Sequence, residues 1–286
     1  MKKCFTAFMM AWGNFLSIPC PKKVWDNELK KEMLSLLPII GLIAGLLEYA
    51  LCLLMRRLFV PIAVSGFFLT LLAFGISGFM HADGFMDCCD AILSRRDLAE
   101  RQRILKDSRV GAFAVISMIL MALGTFAAFF TIAEREMATN AISYTVSARI
   151  LAITTPMALV LIPVISRATA GACVLGLKPL ETSQYAETEG SSRRHLRRLA
   201  TIALVIVAVV LVITVILSAK ISTAAIWIIA FRLIVPTVST LLATRLFAEL
   251  ARRNLGGMSG DIAGFSICMG ELVGYIVLAF LLSLLL

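Results

Sequence analysis

Residues 78–111 read GFMHADGFMDCCDAILSRRDLAERQRILKDSRVG and lie between two long apolar runs. This segment holds six of the chain's eighteen acidic residues and six of its twenty-seven basic residues. Within it, Asp83, Asp87 and Asp90 are spaced by four and then three residues. If the segment is helical, these positions fall on one face and the three carboxylates converge. We therefore predict an acidic helix face at this point in the chain.

An acidic face of this kind favours a bound cation. Three neighbouring carboxylates repel one another unless a positive charge lies between them. Carboxylate oxygens prefer a hard divalent ion such as Mg²⁺ or Mn²⁺. The alternative is a solvated acidic face at the end of a membrane span. Because basic clusters flank the segment on a membrane-associated chain, we favour the metal site.

The composition is that of an integral membrane protein. The chain has 286 residues, of which 60% are hydrophobic and 16% charged, and its mean hydropathy is +0.93. Soluble domains carry about 25% charged residues. The net charge of +9 would suggest nucleic-acid binding in a soluble protein, but here we attribute it to basic cytoplasmic loops and expect no nucleic-acid partner. The seven cysteines show neither zinc-site nor disulfide spacing.

The apolar runs predict an all-α polytopic bundle of about seven transmembrane helices in a single domain over residues 1–286. A run at residues 5–18 is shorter than the roughly twenty residues needed to cross a bilayer, so we predict an interfacial or re-entrant amino-terminal helix there. The predicted spans lie at about residues 33–55, 61–80, 110–132, 141–165, 199–219, 222–246 and 265–286.

Glycine and proline residues in these spans predict where helices pack closely and where they bend. Gly41 and Gly45 form a GxxxG pattern, which favours close helix packing. Pro38, Pro163 and Pro236 predict kinks.

Basic residues predict the orientation. Twenty-one of the twenty-seven Lys and Arg residues fall in residues 1–32, 81–109, 166–198 and 245–264, and four fall on the opposite side. The positive-inside rule then places the amino terminus and the three polar loops in the cytoplasm, and the carboxyl terminus outside. We expect a multi-pass protein in the cytoplasmic membrane of a bacterium or archaeon, with its site facing the cytoplasm.

Two further polar segments suit phosphate chemistry. Lys106, Asp107, Ser108 and Arg109 precede the third span, and residues 256–261 read GGMSGD. Carboxylates that hold a metal, beside cations and a glycine turn that can approach phosphate oxygens, are what phosphoryl transfer requires.

Four charged residues lie inside apolar runs. Buried charges in spans pair with each other or serve function, and we leave open whether Arg232 and Glu271 support the site or pair structurally. The four are Glu48, Arg149, Arg232 and Glu271.

The polar segments resemble the cobalamin synthase family, the adenosylcobinamide-GDP ribazoletransferases. Residues 81–90, HADGFMDCCD, look like its HxDGxxDxxD signature, and residues 106–113, KDSRVGAF, are similar to its KDSRxGAF segment. Residues 256–261 with Gly264 and Glu271 resemble its GGxTGDxxG…E pattern, with Ser259 where Thr is usual. Two shorter matches are a Ser-Arg element at Ser166 and Arg167, and a PxxGxxxG pattern formed by Pro38, Gly41 and Gly45.

The resemblance implies a function and a set of roles. Adenosylcobinamide-GDP would react with α-ribazole or its 5′-phosphate, with Mg²⁺ as cofactor, to release GMP. Partners would be these substrates and the lipid bilayer, while a homo-oligomer and a complex with other corrinoid enzymes both stay open. The predicted metal ligands are Asp83, Asp87, Asp90 and Asp261, the catalytic candidates are Asp90, His81 and Asp107, and the phosphate-binding candidates are Lys106, Arg109, Arg167, Gly257 and Gly260.

One element departs from the family. Its FxTRxP-like amino-terminal pattern reads Phe15-Leu16-Ser17-Ile18-Pro19 here, without the Thr or the Arg.

Two other functions share part of this pattern. A CDP-alcohol phosphotransferase also carries aspartates at span ends, but its DxxDGxxAR pattern needs an Asp where Met80 stands. A cation or cobalt-related transporter predicts functional carboxylates at mid-span and an inverted repeat, whereas the dense charge here lies at span ends and no repeat is visible.

Overall fold

The described part of the chain is helical. The computed structural model describes residues 2–141, 146–181, 183, 192–218 and 223–284, and in these its only extended pairing is an isolated bridge between Pro179 and Met258. The α-helices of these residues are α1 (Lys2–Phe15), α2 (Lys30–Leu34), α3 (Leu37–Arg57), α4 (Ile62–Gly75), α5 (Met80–Leu93), α6 (Leu98–Ile104), α7 (Ala112–Ala141), α8 (Val146–Gly176), α9 (Ser192–Ser218), α10 (Thr223–Leu255) and α11 (Gly260–Leu284).

The prediction of an all-α membrane bundle is confirmed. Six described helices are long and apolar enough to cross a membrane, and α4 with α5 would count as a seventh span if the bent pair is taken together. The short helix α1 packs against the bundle through Met10, Ala11 and Phe15. Its fourteen residues span about 21 Å, less than the hydrocarbon core.

The predicted span at residues 61–80 is interrupted. Helix α4 ends at Gly75, α5 begins at Met80, and the two axes differ by 81°. Between the two helices, Gly78 has a φ of 60° and Phe79 has a φ of 64°. Glycine adopts this left-handed conformation freely, whereas a residue with a Cβ pays about 1–2 kcal/mol. These two residues therefore turn the acidic segment away from the axis of α4.

Several helices extend into segments predicted as loops. Helix α8 continues to Gly176, α10 continues to Leu255, and α11 begins at Gly260. Small buried residues in the added turns, such as Ala170 and Ala251, let these helices pack closely beyond their most apolar windows.

The GxxxG prediction for α3 is confirmed. A Cβ on Gly45 would lie 2.7 Å from the Cα of Val160, and one on Gly41 would lie 2.7 Å from the Cα of Val164. Backbone therefore meets backbone where α3 crosses α8, and the two glycines leave the space for it.

The proline prediction is wrong for Pro38. This residue occupies the first turn of α3, where a missing N–H costs nothing and no kink results. Pro163 and Pro236 do lie inside α8 and α10, and their kinks stay a prediction.

We expect Gly45→Ala to lower the stability of the protein by about 1–3 kcal/mol, because the added methyl group collides with backbone that cannot rotate away. Thermal unfolding of the detergent-solubilised protein, followed by circular dichroism, would measure this. Gly75→Ala is the matched control, since its Cβ would meet only the Phe79 ring at 3.8 Å. Equal midpoints for the two variants would contradict the assigned α3–α8 contact.

Candidate active site

The three polar segments meet at one end of the bundle. The backbone N–H of Leu180 donates to the carbonyl of Met258 at 2.9 Å, and Met258 donates to Lys178 at 2.9 Å. From the first segment, the side-chain amide of Gln102 donates to the carbonyl of Leu255 at 2.8 Å. Segments that are distant in sequence therefore form one surface.

The acidic helix lies directly on α11. A Cβ on Gly84 would stand 2.8 Å from the Cα of Asp261, and a Cβ on Gly264 would stand 3.1 Å from the Cα of His81. Each helix thus contributes one glycine to a backbone-to-backbone contact. The phenyl rings of Phe85 and Phe265 stack beside it, with centroids 5.7 Å apart.

This contact gathers the carboxylates of two helices. Residues 80–93 are helical as predicted, so Asp83 and Asp87 share a face of α5. Asp83 is exposed, while Asp87 and Asp261 are partly buried. Asp87 is near enough to Asp83, Asp261 and Asp90 to be repelled by each of them. Four of the predicted site residues therefore lie in one neighbourhood.

The carboxylate cluster offers oxygen ligands of the kind that magnesium prefers. Among the described residues, no three His, Cys, Asp or Glu side chains stand together as a ready-made set of metal ligands. Mg²⁺, however, usually binds one or two carboxylates and completes its shell with water and phosphate oxygens. One or two of the neighbouring carboxylates Asp83, Asp87 and Asp261 would be enough for such binding. The assignment of ligands stays a prediction.

Asp90 is directed toward the start of α7. Its carboxylate fills the space that a Cβ on Gly111 would need, and it accepts a hydrogen bond from the N–H of Ala114 at 3.4 Å. A negative charge stabilises the amino-terminal end of a helix. Asp90 therefore ties the segment before α7 to the acidic helix, whatever further role as ligand or base it has.

The segment before α7 presents two exposed cations, Lys106 and Arg109. The Arg109 guanidinium donates to Asp107 at 2.7 Å. This hydrogen bond is the main cause that lowers the pKa of Asp107 to about 2. Asp107 is consequently ionised near neutral pH and is a weak proton acceptor there, although its catalytic role stays a prediction.

Helix packing and capping explain some of the residues in the glycine turn at 256–261. A Cβ on Gly257 would lie 2.6 Å from the Cα of Leu180, so this glycine permits the contact between two polar segments. Gly260 is the first residue of α11. The hydroxyl of Ser259 accepts a hydrogen bond from Ile262 at 3.3 Å and caps the helix, as a threonine at this position also could.

Arg167 lies away from the acidic cluster. It is 1% exposed, and its guanidinium donates to the carboxylate of Glu271, which also accepts a hydrogen bond from Ser166 at 2.6 Å. Glu271 follows Asp261 by ten residues, about 15 Å along α11. The structure therefore pairs Arg167 inside the bundle. His81, 8% exposed, lies within reach of the Arg167 charge.

Comparison with known proteins identifies the family. Residues 7–279 match the model of the cobalamin-5-phosphate synthase family. The chain belongs to this family. An adenosylcobinamide-GDP ribazoletransferase of Clostridium perfringens (strain SM101 / Type A) is 32% identical over 279 residues, which cover 97% of this chain and 99% of the relative. One of Clostridium botulinum (strain Alaska E43 / Type E3) is 33% identical, over 96% and 97% of the two chains.

This cobalamin-5-phosphate synthase family member is accordingly a transferase of cobalamin biosynthesis. A ribazoletransferase of Geobacillus sp. (strain WCH70) is also similar, at 27% identity over 92% of this chain and 91% of its own. No solved structure matches the chain.

The protein has a second buried polar pair, of which the sequence indicated only one member. The Tyr275 hydroxyl donates to the carboxylate of Glu48 at 2.8 Å. Glu48 was noticeable as a charge in an apolar run, whereas a tyrosine in α11 gave no signal. Arg232 is 1% exposed, and the side chain of Arg149 lies outside the described residues.

We expect Glu271→Gln to destabilise the protein by about 3 kcal/mol or more, because Arg167 would keep its charge inside the bundle without a counter-charge. Denaturant unfolding of the purified protein in detergent would measure the loss.

Glu48→Gln is the matched control for this change. Its amide oxygen still accepts from Tyr275, so a smaller loss is expected. A loss at Glu271 no larger than that at Glu48 would show that the Arg167 pair does not stabilise the bundle.

Proposed function

We propose that this chain transfers the adenosylcobinamide-phosphate group from adenosylcobinamide-GDP to α-ribazole or its 5′-phosphate and releases GMP. The observation that carries the proposal is the α5–α11 contact, which gathers Asp83, Asp87 and Asp261. The full-length likeness to ribazoletransferases supports the choice of substrates over a CDP-alcohol and over a transported cation.

In the proposed reaction, a ribose hydroxyl oxygen of the acceptor forms a bond to the cobinamide-linked phosphorus of the donor. The bond from that phosphorus to the bridging oxygen breaks, and GMP leaves with the bridging oxygen. The hydroxyl proton passes to a carboxylate of the cluster or to water. This substitution needs a positioned nucleophile and stabilisation of negative charge on the phosphates.

The side chains divide these tasks in our proposal. Asp83, Asp87 and Asp261 would hold Mg²⁺, which supplies charge neutralisation at the phosphate oxygens when bound. The exposed cations Lys106 and Arg109 would bind phosphate oxygens as they arrive from solution. Asp90 keeps their segment against the acidic helix through its contact with the start of α7.

We also propose that the site faces the cytoplasm. The distribution of basic residues supports this orientation. Most Lys and Arg residues lie in the amino-terminal segment and in the three polar segments that meet at the site, and such residues favour the cytoplasmic side. The hydrogen bonds among residues 102, 178–180 and 255–258 agree with a common side for those segments.

We expect Asp83→Asn to reduce Mg²⁺-dependent GMP release at least about hundredfold, since it removes an anionic oxygen from the cluster. The measurement is GMP release from adenosylcobinamide-GDP and α-ribazole 5′-phosphate. Asp97→Asn is the matched control, because Asp97 caps α6 and is not among the carboxylates that repel Asp87, and asparagine caps equally well.

The outcomes separate the alternatives. Equal GMP release by wild type and Asp83→Asn would keep the reaction but remove Asp83 from the site. No release by folded wild type would contradict the proposed reaction; phospholipid formation from a CDP-activated donor would then favour the phosphotransferase, and cation uptake the transporter.

We expect Asp107→Asn to leave the shape of the pH–rate profile unchanged between about pH 6 and 9. The pKa of Asp107 is lowered to about 2, so its pair with Arg109 is present throughout this range and is lost only as pH falls toward 2. GMP release measured across the range tests this. Loss of one limb of the profile in the variant would instead identify Asp107 as the titrating catalytic group.

A further inference from the structure

A cavity of about 570 Å³ lies between α1 and the segment that follows it. We call it the amino-terminal cavity; its walls include Met10, Asn14, Cys20, Lys23 and Trp25. Its size falls in the range of small-molecule sites. The roles assigned to the acidic cluster involve none of these residues.

Hydrogen bonds and a ring contact order the walls of the amino-terminal cavity. The Trp12 indole N–H donates to the carbonyl of Ile18 at 3.0 Å, and the Cys20 thiol donates to the carbonyl of Lys22 at 3.2 Å. Phe8 packs edge-on against Trp12 with ring centroids 5.8 Å apart. The hydrogen bond from Trp12 ties the segment after α1 back to the helix.

The amino-terminal cavity lies beside the acidic helix. The N–H of Ser17, a wall residue, donates to the carbonyl of Ile76 at 2.8 Å, and the Cβ of Ser17 would be 3.9 Å from one built on Gly78. Ile76 and Gly78 belong to the bend that leads into α5. A ligand in the cavity would therefore lie next to the start of the acidic helix.

The lining has the chemistry of a site for an aromatic ligand with one anionic group. Trp25 is 53% exposed and offers an indole face, and Met10 offers a polarisable thioether. Lys23 is the charged residue of the lining, and the lining contains no carboxylate. A cation would find no counter-charge here, whereas a phosphate would find Lys23 and the amide of Asn14.

We propose that the amino-terminal cavity binds the nucleoside acceptor, with its base against Trp25 and its 5′-phosphate on Lys23. This rests on the proposed function, which supplies the two substrates. A nucleotide fits a volume of about 570 Å³, while a corrinoid joined to GDP is far too large for it. A phospholipid headgroup shares the combination of phosphate and apolar groups, but the position beside the acidic helix favours the acceptor.

The direct test is protection of Cys20 from a maleimide. Cys4 is exposed, Cys20 is partly exposed, and the other five cysteines are buried, so Cys4→Ser leaves Cys20 as the accessible thiol. In phosphatidylcholine nanodiscs, α-ribazole 5′-phosphate should slow alkylation of Cys20 at least about tenfold when it saturates the protein. An unchanged rate of alkylation at saturation would overturn the assignment.

A kinetic test separates the phosphate contact from the base contact. Lys23→Gln should raise KM for α-ribazole 5′-phosphate about tenfold, with KM for unphosphorylated α-ribazole and for the donor nearly unchanged. Lys22→Gln, at an adjacent exposed lysine outside the lining, should change none of them. Trp25→Ala should raise KM for both forms of the acceptor.

A rise in KM for the donor alone would overturn the proposal.

The remaining outcomes distinguish the sources of failure. Protection of Cys20 by the acceptor without any GMP release would keep the cavity assignment and refute the proposed reaction. GMP release without protection would keep the reaction and refute the cavity. Protection by phosphatidylglycerol nanodiscs alone, with no added acceptor, would identify the occupant as lipid and overturn the proposal.

Discussion

The contact of α5 with α11 is the constraint on which the site depends. Gly84 and Gly264 allow the two backbones to touch, and only such an approach brings Asp83 and Asp87 beside Asp261. Three carboxylates placed this closely raise the electrostatic energy of the folded protein. The packing around the contact, including the stacked rings of Phe85 and Phe265, offsets that repulsion. A bound cation would reduce that repulsion, so the same contact that strains the free protein would favour binding of a cation.

Buried polar pairs hold the helices that carry this contact. Arg167 on α8 meets Glu271 on α11, and Glu48 on α3 meets Tyr275 on α11. Neither pair need be more stable than a well-packed apolar contact, because burying charge is costly. Leaving one member of a pair without its partner inside an apolar bundle, however, would cost several kcal/mol of folding free energy, about 2.5–3.5 kcal/mol for a charged group. The pairs therefore disfavour any other register of α3 and α8 against α11, and so keep the amino-terminal end of α11 at the site.

The bend at Gly78 and Phe79 joins the acidic helix to the amino-terminal segment. It turns α5 by 81° from α4, and the same bend receives the hydrogen bond from Ser17 at the carbonyl of Ile76. Phe79 keeps a left-handed conformation that costs energy outside glycine. The surrounding packing must supply that energy. One local geometry thus positions both the acidic cluster and the amino-terminal cavity.

The sequence by itself determined the membrane class, the approximate spans, the helical acidic face and the family. Those features depend on hydropathy, on spacing along one helix and on contiguous motifs, which are all local properties of the chain. It misjudged the span at residues 61–80, because hydropathy carries no information about the backbone angles of Gly78 and Phe79. The phosphate-binding role of Arg167 stays a prediction, and tertiary packing alone shows that this residue pairs with Glu271 inside the bundle. Only the tertiary structure decided which carboxylates meet and where a cavity forms, since both depend on contacts between helices far apart in sequence.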